Sequence, residues 1–470
     1  MTELVSTLVE AVQRAARRWP DELAWTFDPG RSYSFAEVDE LSAAVALALE
    51  RRGIAEGDRV AVLLDNQVEF PLTWIALARL GAAMVPVNPR YRAVDAGHLL
   101  TSSGAVAVVT NARLAPLVAE TGLSLPTYDA TALVSWGAGY DSIELDPTRV
   151  VNVQYTSGTT GSPKGCLLDH TYWMTLARSL VEEFPRLSGD DVMLTAQPFS
   201  YIDPQWNVAA ALLAGARLVV LDGFHPSTFW AKVREHEVTY FYCLGAMPTL
   251  LLRMPPDPDD RNHRVRVVQT SGMPPALQTE LEERWGVDWY EAFGMTETGA
   301  DLRVTDLDHD ELVGTGCLGR PAGHREARIV DGELWLRGPG MMQGYDGLPD
   351  PFTDGWFRTG DLARIDEHGR VTLQGRLKDM IRRSGENVAA HEVESVLMSH
   401  PGVRLAAVIG VPDEIRGEEV KAFVVGDVAV DELASYCGER LAAFKVPSQW
   451  EFRQELPMTP SERVAKEKLR

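Results

Sequence analysis

Residues 155–165 read Tyr155-Thr156-Ser157-Gly158-Thr159-Thr160-Gly161-Ser162-Pro163-Lys164-Gly165 and follow a mostly apolar run, Val150 to Val153, that predicts a strand. Glycine lets a backbone approach a ligand closely, while hydroxyl groups and unpaired backbone N–H groups can surround an anion. Lys164 adds a point charge for phosphate oxygens. A solvated turn is the alternative, but eleven residues in this order favour a phosphate loop. The Gly-Lys-Ser/Thr order of the Walker loop is absent. The predicted contacts come from Thr156, Ser157, Gly158, Thr159, Thr160, Gly161 and Lys164.

Strands and helices alternate along the chain before this loop. Ser34 followed by Glu37 has the capping-box spacing of a helix start, and Gly81 closes a later helix. The alternation predicts an α/β fold with doubly wound, mainly parallel sheets. The predicted elements are helices Leu4–Trp19 and Phe70–Leu80, a helix between Ser34 and Gly53, and strands Arg59–Leu64, Ala83–Val87 and Ala105–Thr110.

The pattern changes at about Gly332. Residues 332–337 and 370–373 alternate between apolar and polar, as antiparallel strands do. After Lys378, a helix, two strands and a second helix predict a small α+β module. The sequence therefore predicts a large domain over residues 1–377 and a small one over residues 378–470.

The composition limits the partners that the protein can have. The chain has 470 residues and a formal net charge of −22, which gives no electrostatic reason to bind nucleic acid or an anionic membrane. An anionic ligand would need a local positive site, and because only seven of the 45 cationic residues are lysines, each lysine is noticeable where it stands. No apolar segment resembles a signal peptide or a membrane span, and four scattered cysteines predict no disulfides. We expect a cytoplasmic protein, either a monomer or a homodimer.

The phosphate loop resembles the signature loop of the adenylate-forming superfamily, which comprises acyl-CoA synthetases, peptide-synthetase adenylation domains and beetle luciferases. The resemblance extends over the whole chain from Ser34, and residues 198–203 are most similar to carnitine/crotonobetaine-CoA ligase-like members. It implies a large N-terminal domain of doubly wound sheets with a distorted β-barrel. It also implies a small mobile C-terminal domain that rotates about a hinge near Lys378.

Several other motifs match this family. In relatives, the Thr and Glu at the positions of Thr296 and Glu297 contact a phosphate and hold magnesium, while the positions of Asp361 and Arg376 serve the ribose. Departure of pyrophosphate requires a cation that bridges phosphate oxygens, and a carboxylate can accept hydrogen bonds from both ribose hydroxyls. The resemblance further implies a nucleotide site that includes Gly272, Glu291, Ala292, Phe293 and Lys378, with Gly385 beside the channel of the second substrate.

Two positions depart from the family pattern. The catalytic lysine of the last motif is replaced by Arg463, which keeps the charge with a bulkier, forked geometry. Arg463 could do the same work, nearby Lys466 could replace it, or adenylation could be impaired; we favour the first. Tyr201 stands where relatives carry an aromatic residue or histidine as a gate between the acid pocket and the acceptor channel.

The resemblance also implies, by position, which residues line the acid pocket. Its mixture of aromatic and polar groups suits a small aromatic or short functionalised acid better than a fatty chain. Plain strand core is the alternative for Phe241 and Leu244. The expected lining is Tyr201, Gln205, Trp206, Phe241, Cys243, Leu244 and Gly245.

Three functions remain open at this point. The first is an acid–CoA ligase that uses ATP and Mg²⁺ to form an acyl-AMP with release of pyrophosphate, and then transfers the acyl group to the CoA thiol. The second keeps adenylation but changes the acceptor to a carrier-protein thiol or an amine, including activation of nitrite and diazotisation of an aromatic amine. The third is an inactive nucleotide-binding homologue. Arg463 alone favours the third, whereas Lys164, Glu297, Asp361 and Arg376 oppose it.

Overall fold

The computed structural model describes residues 5–134, 140, 142–156, 163–384, 386–413, 415–458 and 464–469. Its first part alternates between helices and strands, as predicted. In chain order these elements are α1 (Leu8–Arg18), β1 (Leu23–Asp28), β2 (Ser32–Ser34), α2 (Phe35–Glu50), β3 (Arg59–Leu63), α3 (Glu69–Leu80), β4 (Ala83–Pro86), α4 (Ala93–Ser102), β5 (Ala107–Thr110), α5 (Ala115–Glu120), β6 (Thr127–Asp129), β7 (Val150–Thr156) and β8 (Lys164–Asp169).

The same alternation continues through the middle of the chain. The elements there are α6 (His170–Glu182), β9 (Val192–Thr195), α7 (Ile202–Ala214), β10 (Arg217–Leu221), α8 (Pro226–Glu235), β11 (Tyr240–Leu244), α9 (Met247–Leu252), β12 (Val267–Ser271), α10 (Gln278–Trp285), β13 (Trp289–Met295), β14 (Gly299–Arg303), α11 (His309–Leu312) and β15 (Arg320–Pro321).

Strands dominate the last third. They are β16 (Glu326–Val330), β17 (Glu333–Arg337), β18 (Phe352–Thr353), β19 (Trp356–Ile365), β20 (Val371–Arg376), β21 (Met380–Arg383), β22 (Glu386–Ala389), β23 (Val403–Asp413), β24 (Gly417–Gly426) and β25 (Gln449–Phe452), with helices α12 (Ala390–Met398) and α13 (Val430–Gly438).

Two large sheets form the first two thirds of the fold. One has the strand order β6-β5-β3-β4-β7-β8, and the other has the order β15-β14-β13-β12-β11-β9-β10-β1-β2. Their central strands are parallel, while β8, β2, β14 and β15 are antiparallel additions at the edges. Helices α1, α2, α3, α6 and α7 pack on one another and share the largest hydrophobic core.

Local signals in the sequence begin and end the helices as expected. The Ser34 hydroxyl accepts a hydrogen bond from Glu37 N at 3.2 Å, and the Glu37 carboxylate accepts one from Ser34 N at 2.8 Å. Gly81 ends α3 with a φ of 69°, a left-handed conformation that favours glycine. These two predictions are confirmed.

A polar network inside the core fixes the strand that leads into the phosphate loop. The Asn152 side chain on β7 accepts hydrogen bonds from the indoles of Trp74 at 2.7 Å and Trp173 at 3.1 Å. Its amide donates to Gln205 on α7 at 2.7 Å. All four side chains are buried, so β7, α3, α6 and α7 are held in one arrangement.

The remaining strands form two smaller antiparallel sheets. Strands β16, β17, β19, β18 and β20 build a five-stranded sheet in the part of the chain that follows the two large sheets. Strands β22, β21, β24 and β23, with β25 parallel to β24, form the last sheet and pack on α12 and α13 around a core of their own. The predicted domain boundary at Lys378 falls in the short turn between β20 and β21.

In the described part of the chain, none of the helices combines the length and the apolar character needed to cross a membrane. The four cysteines are free thiols and are buried.

Candidate active site

A lysine, a glutamate and a tyrosine meet beside the predicted phosphate loop. Lys164 begins β8, opposite Thr156 at the end of β7, so the loop closes a hairpin between these two residues. The Lys164 ammonium lies 4.9 Å from the centre of the Tyr345 ring, and the Tyr345 hydroxyl donates to Glu297 at 2.9 Å. One tyrosine therefore contacts a positive group with its ring and a negative group with its hydroxyl.

The segment that carries Tyr345 is fixed along β8 by backbone hydrogen bonds. Leu167 N donates to Gly344 O at 3.0 Å, and Gln343 N donates back to Leu167 O at 2.9 Å. Asp346 forms an ion pair with Arg59 at 2.6 Å. Burial raises the pKa of the Tyr345 hydroxyl, and the Glu297 carboxylate raises it further, so this phenol stays protonated and can donate. Sequence reasoning missed Tyr345, because a single Tyr after Gly in a loop carries little signal.

Glu297 is presented by a tight turn between β13 and β14. A Cβ atom on Gly294 would lie 2.0 Å from Gly299 O, so only glycine allows the strands to approach this closely. Glu297 O accepts a hydrogen bond from Met342 N at 2.9 Å, which ties the turn to the Tyr345 segment. Thr296 lies in the same turn and is half-buried. A half-buried carboxylate is a suitable magnesium ligand, because Mg²⁺ prefers oxygen from one or two carboxylates together with substrate phosphates.

A buried ion pair stabilises the turn that carries Glu297. Arg325 and Asp301 are both fully buried and lie 2.7 Å apart. Arg325 also donates to Thr298 O at 2.6 Å and to Pro339 O at 3.2 Å, and the Thr298 hydroxyl donates to Asp301. Burial raises the pKa of Asp301 to about 6, while Arg325 acts in the opposite direction. The pair joins the Glu297 turn to the chain that leads to Tyr345.

The two residues predicted at the ribose form a cross-strand pair. Asp361 on β19 lies opposite Arg376 on β20, and the guanidinium Nε is 2.8 Å from Asp361 Oδ1. The Asp361 side chain is 3% exposed and Arg376 is 30% exposed. Asp361 N donates to the Thr359 hydroxyl at 3.0 Å. Two residues that are 15 positions apart in sequence are thus neighbours in the structure.

The residues that are predicted to contact adenine also lie close together. Gly272 follows β12 with a φ of 77°, and its N–H donates to the Glu291 carboxylate at 2.7 Å. Ala292 O accepts from the Ser271 hydroxyl, and Phe293 is half-buried on the same strand. Burial raises the pKa of Glu291 to about 8, although hydrogen bonds from Gly272 and Met273 lower it.

The expected acid pocket lies between α7 and the end of β11. The Tyr201 hydroxyl accepts a hydrogen bond from Asn88 at 3.0 Å, and Trp206 packs edge-to-face on Tyr242 with ring centres 5.4 Å apart. Leu244 is half-buried and Gly245 is exposed at the carboxyl end of β11. Ligands of open α/β sheets bind at such strand ends.

Three residues of the expected pocket are placed differently by the structure. Phe241 and Cys243 are fully buried on the other face of β11, where they pack in the core around Trp230 and Trp289. Successive side chains of a strand point to opposite faces, so Tyr242, which sequence reasoning missed, faces α7. Gln205 is also fully buried, and its amide is hydrogen-bonded within the protein. Phe241 and Cys243 therefore belong to the core, and Gln205 supports the pocket wall.

Several predicted residues lie outside the described part of the chain. Their roles stay predictions. They are Ser157, Gly158, Thr159, Thr160, Gly161, Gly385 and Arg463.

The structure does describe two other cations of the C-terminal part. Lys466 Nζ lies 2.7 Å from Glu394 and 3.9 Å from Asp379, so it is already paired with carboxylates. Lys378 lies 3.9 Å from Glu467. Which of Lys466 and Arg463 does the work of the family lysine stays a prediction.

Comparison with known protein families identifies the class of protein. The AMP-binding enzyme family matches residues 12–346, and the AMP-binding enzyme C-terminal domain matches residues 392–463. The chain therefore belongs to the AMP-binding enzyme family.

Named relatives and solved structures show which kind of AMP-binding enzyme the chain resembles. The chain is 32% identical to crotonobetaine/carnitine–CoA ligase of Salmonella paratyphi A, over 94% of this chain and 93% of that protein. It is also similar to o-succinylbenzoate CoA synthetase of Bacillus subtilis, solved with an acyl-adenylate intermediate (TM-score 0.90, 28% identity, 98% of this chain and 97% of that chain). ATP-bound MatB of Rhodopseudomonas palustris matches with a TM-score of 0.89 and 28% identity, over 99% and 98% of the two chains. The protein is an AMP-forming, acyl-adenylate-making ligase.

Proposed function

We propose that this ligase joins a short functionalised acid to coenzyme A in two half-reactions at one site, with ATP and Mg²⁺. The observation that carries the proposal is the cluster of Lys164, Tyr345 and Glu297 beside the phosphate hairpin. Its opposite charges are arranged to receive a triphosphate with its metal ion.

In the first half-reaction, the acid's carboxylate oxygen attacks the α-phosphorus of ATP, and the bond to pyrophosphate breaks. Lys164 would neutralise charge on the phosphates, and the hairpin hydroxyls would donate hydrogen bonds to them. Catalysis of phosphoryl-type transfers arises from such positioning and charge stabilisation. Glu297 would hold Mg²⁺, which supplies further charge neutralisation when bound, and Thr296 would contact a phosphate. The Tyr345 hydroxyl keeps the Glu297 carboxylate oriented.

The nucleoside would be held by the Asp361–Arg376 pair and by the residues predicted to contact adenine. Asp361 can accept hydrogen bonds from ribose hydroxyls while the ion pair with Arg376 holds its carboxylate in place. Gly272, Ala292 and Phe293 would form the adenine wall, and Lys378 would lie near the ribose. Arg463 would bridge the acid's carboxylate and the α-phosphate with its forked guanidinium.

The second half-reaction needs a thiol in place of pyrophosphate. The small C-terminal part, residues 378–470, has its own core and meets the large part at a short turn that contains Lys378. Rotation about this turn would bring Gly385 to the cleft and open a channel for the pantetheine arm. The CoA sulfur then attacks the acyl carbonyl carbon, and AMP leaves with one of the original carboxylate oxygens.

The acid is expected to be small. Tyr201, Trp206, Leu244 and Gly245 would line its pocket, together with Tyr242, which the strand direction adds. Bulky rings on both sides leave little space for a long chain. Named relatives act on crotonobetaine and carnitine, which are short acids.

Pyrophosphate release from the full chain tests the proposal. The protein is incubated with Mg·ATP and a panel of short acids that includes nitrite, with and without CoA. Release that depends on a carboxylic acid, with AMP and a thioester formed when CoA is added, is the expected result. Release only with nitrite, or acyl transfer only to an amine, would assign a different acceptor chemistry.

Two variants make the test specific to the site. Arg463→Ala is expected to reduce acid-dependent release, and Arg463→Lys is expected to retain it. The absence of pyrophosphate release from the wild type with every acid would contradict the proposed function.

A further inference from the structure

A chain of hydrogen bonds crosses three neighbouring strands beside the site. The Tyr242 hydroxyl on β11 is hydrogen-bonded to the Ser271 hydroxyl on β12 at 2.5 Å, and the Ser271 hydroxyl in turn donates to the Ala292 carbonyl on β13. The three strands are parallel neighbours, and all three residues are half-buried. The chain therefore joins a ring at the expected acid pocket to a residue of the expected adenine wall.

The direction of each hydrogen bond in this chain is fixed. A carbonyl oxygen can only accept, so the single proton of the Ser271 hydroxyl is used for the Ala292 oxygen. The Tyr242 hydroxyl must then donate to Ser271. Donation by Tyr242 polarises the Ser271 hydroxyl and strengthens its bond to the carbonyl, because hydrogen bonds in a chain reinforce one another. A change at Tyr242 is therefore expected to reach Ala292.

Both ends of the chain are held by other contacts. The residue after Ser271, Gly272, donates its N–H to the Glu291 carboxylate at 2.7 Å, so two consecutive residues of β12 and its end are tied to β13. At the other end, the buried Trp206 packs edge-to-face on the Tyr242 ring. A displacement of this ring would therefore move the group that holds the Ala292 carbonyl.

The same two strands carry a second pair of this kind, two residues earlier on each strand. The Tyr240 hydroxyl donates to the Gln269 side chain at 2.8 Å. Both side chains are almost fully buried, so this pair belongs to the interior of the sheet. Tyr240 is thus a matched control for Tyr242, with the same type of bond between the same strands.

We propose that Ser271 is a positioning residue that the two substrates share, and that through it the Tyr242 hydroxyl sets the affinity of the adenine wall for nucleotide. The inference deepens the proposed function and rests on it, because it takes Ala292 as part of the adenine wall. A purely structural role would be the stabilisation of the sheet. That role would not make nucleotide binding depend on Tyr242 more than on Tyr240.

Nucleotide binding in the absence of any acid tests the inference. The dissociation constant of the magnesium complex of α,β-methylene-ATP, which cannot release pyrophosphate, is measured by calorimetry with the full-length protein. Tyr242→Phe keeps the ring that packs on Trp206 and removes the donor to Ser271. It is expected to weaken nucleotide binding by about 3-fold, near the lower end of the effects of losing one hydrogen bond. Tyr240→Phe is expected to bind as the wild type does.

Variants of Ser271 assign the effect to the chain. Ser271→Ala removes the donor to the Ala292 oxygen and is expected to weaken binding by about 3- to 10-fold. Ser271→Thr keeps a hydroxyl and is expected to retain most of the affinity. The double variant Tyr242→Phe/Ser271→Ala should bind as weakly as Ser271→Ala alone, since Tyr242 acts through Ser271, whereas the effects of independent sites would multiply. Urea unfolding shows which variants are folded.

The outcomes separate this inference from the proposed function. Wild-type affinity in Tyr242→Phe, an equal loss in Tyr240→Phe, or effects that multiply in the double variant would overturn the inference. If Ser271→Ala does not fold, the comparison of Tyr242→Phe with Tyr240→Phe decides alone. A wild type that binds the analogue but releases no pyrophosphate with any acid would overturn the proposed ligase function and leave the nucleotide result in place. A wild type that binds no nucleotide would overturn both.

Discussion

The nucleotide half of the site and its acid half hold their side chains in different ways. In the nucleotide half, charged groups are held by polar partners: Asp361 by the Arg376 guanidinium at 2.8 Å, and Glu297 by the Tyr345 hydroxyl at 2.9 Å. In the acid half, the walls are packed rings, such as Trp206 on Tyr242.

This difference follows from what each half must do. The triphosphate and ribose are the same in every turnover, so their partners can be fixed in advance by ion pairs and by tight turns such as Gly294 against Gly299. The acid differs between related ligases, and a wall of packed side chains changes its shape with single substitutions. The comparison predicts that substitutions in the first half affect the rate, whereas substitutions in the second half affect the choice of acid.

The largest effect is expected at the strand that separates the pocket from the core. Phe241→Ala should lower the free energy of unfolding by about 3–5 kcal/mol, because it leaves a cavity in the core beside Trp230 and Trp289. Tyr242→Ala should instead raise the KM of the acid. Urea unfolding and acid KM values measure the two effects. A stable Phe241→Ala protein with an altered acid KM would mean that the pocket lies on the other face of β11.

The next effect concerns the rate of adenylation. Lys164→Ala should lower kcat for acid-dependent pyrophosphate release by about 100- to 1,000-fold, since removal of one transition-state charge contact has this cost. The KM of the acid should change little. Lys232→Ala, which removes a lysine paired with Asp28 away from the hairpin, serves as the control. If Lys164→Ala lost affinity for the acid and kept its kcat, the nucleotide half would not set the rate separately from the choice of acid, and the comparison would be wrong.

A pH effect on stability should arise from the adenine wall. The folded pKa of Glu291 is about 8, above its ordinary value of 4.5, so the folded protein holds a proton that the unfolded chain releases. Stability should therefore fall as the pH rises from about 4.5 to 8, by about 1.4 kcal/mol per pH unit from this group. Urea unfolding between pH 5 and pH 8 measures the slope.

Glu291→Gln should remove this contribution to the slope, because an amide stays neutral and can still accept from Gly272 N. The exposed control Glu280→Gln should leave the slope as in the wild type. A slope that is the same in Glu291→Gln and wild type would show that another group carries the pH dependence.

The smallest effect is expected at the turn between the two parts of the chain. Lys378 and Glu467 are 33% and 57% exposed and lie 3.9 Å apart, so their pairing should contribute less than about 1 kcal/mol. Lys378→Ala should keep stability near wild type, and it should slow thioester formation more than adenylation, because a pivot acts in the second half-reaction. Lys445→Ala removes a comparable pair with Glu392 as the control. Equal rates of both half-reactions in Lys378→Ala would argue against a pivot at this residue.

The nucleotide half was largely predictable from the sequence because its residues lie in short local motifs. The Lys164 loop, the Glu297 turn and the Asp361 segment of β19 each contain their candidate residues within a few positions. The capping box at Ser34 and the glycine after α3 were predictable for the same local reason.

The acid half was less predictable because it depends on side-chain direction. A shift of one residue along β11 exchanges Phe241 for Tyr242, and an apolar run does not reveal which face is buried. Partners that are distant in sequence, such as Asp301 with Arg325 or Lys164 with Tyr345, become neighbours only through the tertiary fold. The sequence contains no local pattern for such pairs.

The central claim is that a carboxylate oxygen of the acid attacks ATP at the α-phosphorus. An acid labelled with ¹⁸O in both carboxylate positions tests it directly, with CoA and Mg·ATP present and the AMP analysed by mass spectrometry. The account predicts AMP that carries one ¹⁸O atom, formed in equal amount with the thioester. Unlabelled AMP, or label found in phosphate or pyrophosphate, would contradict it.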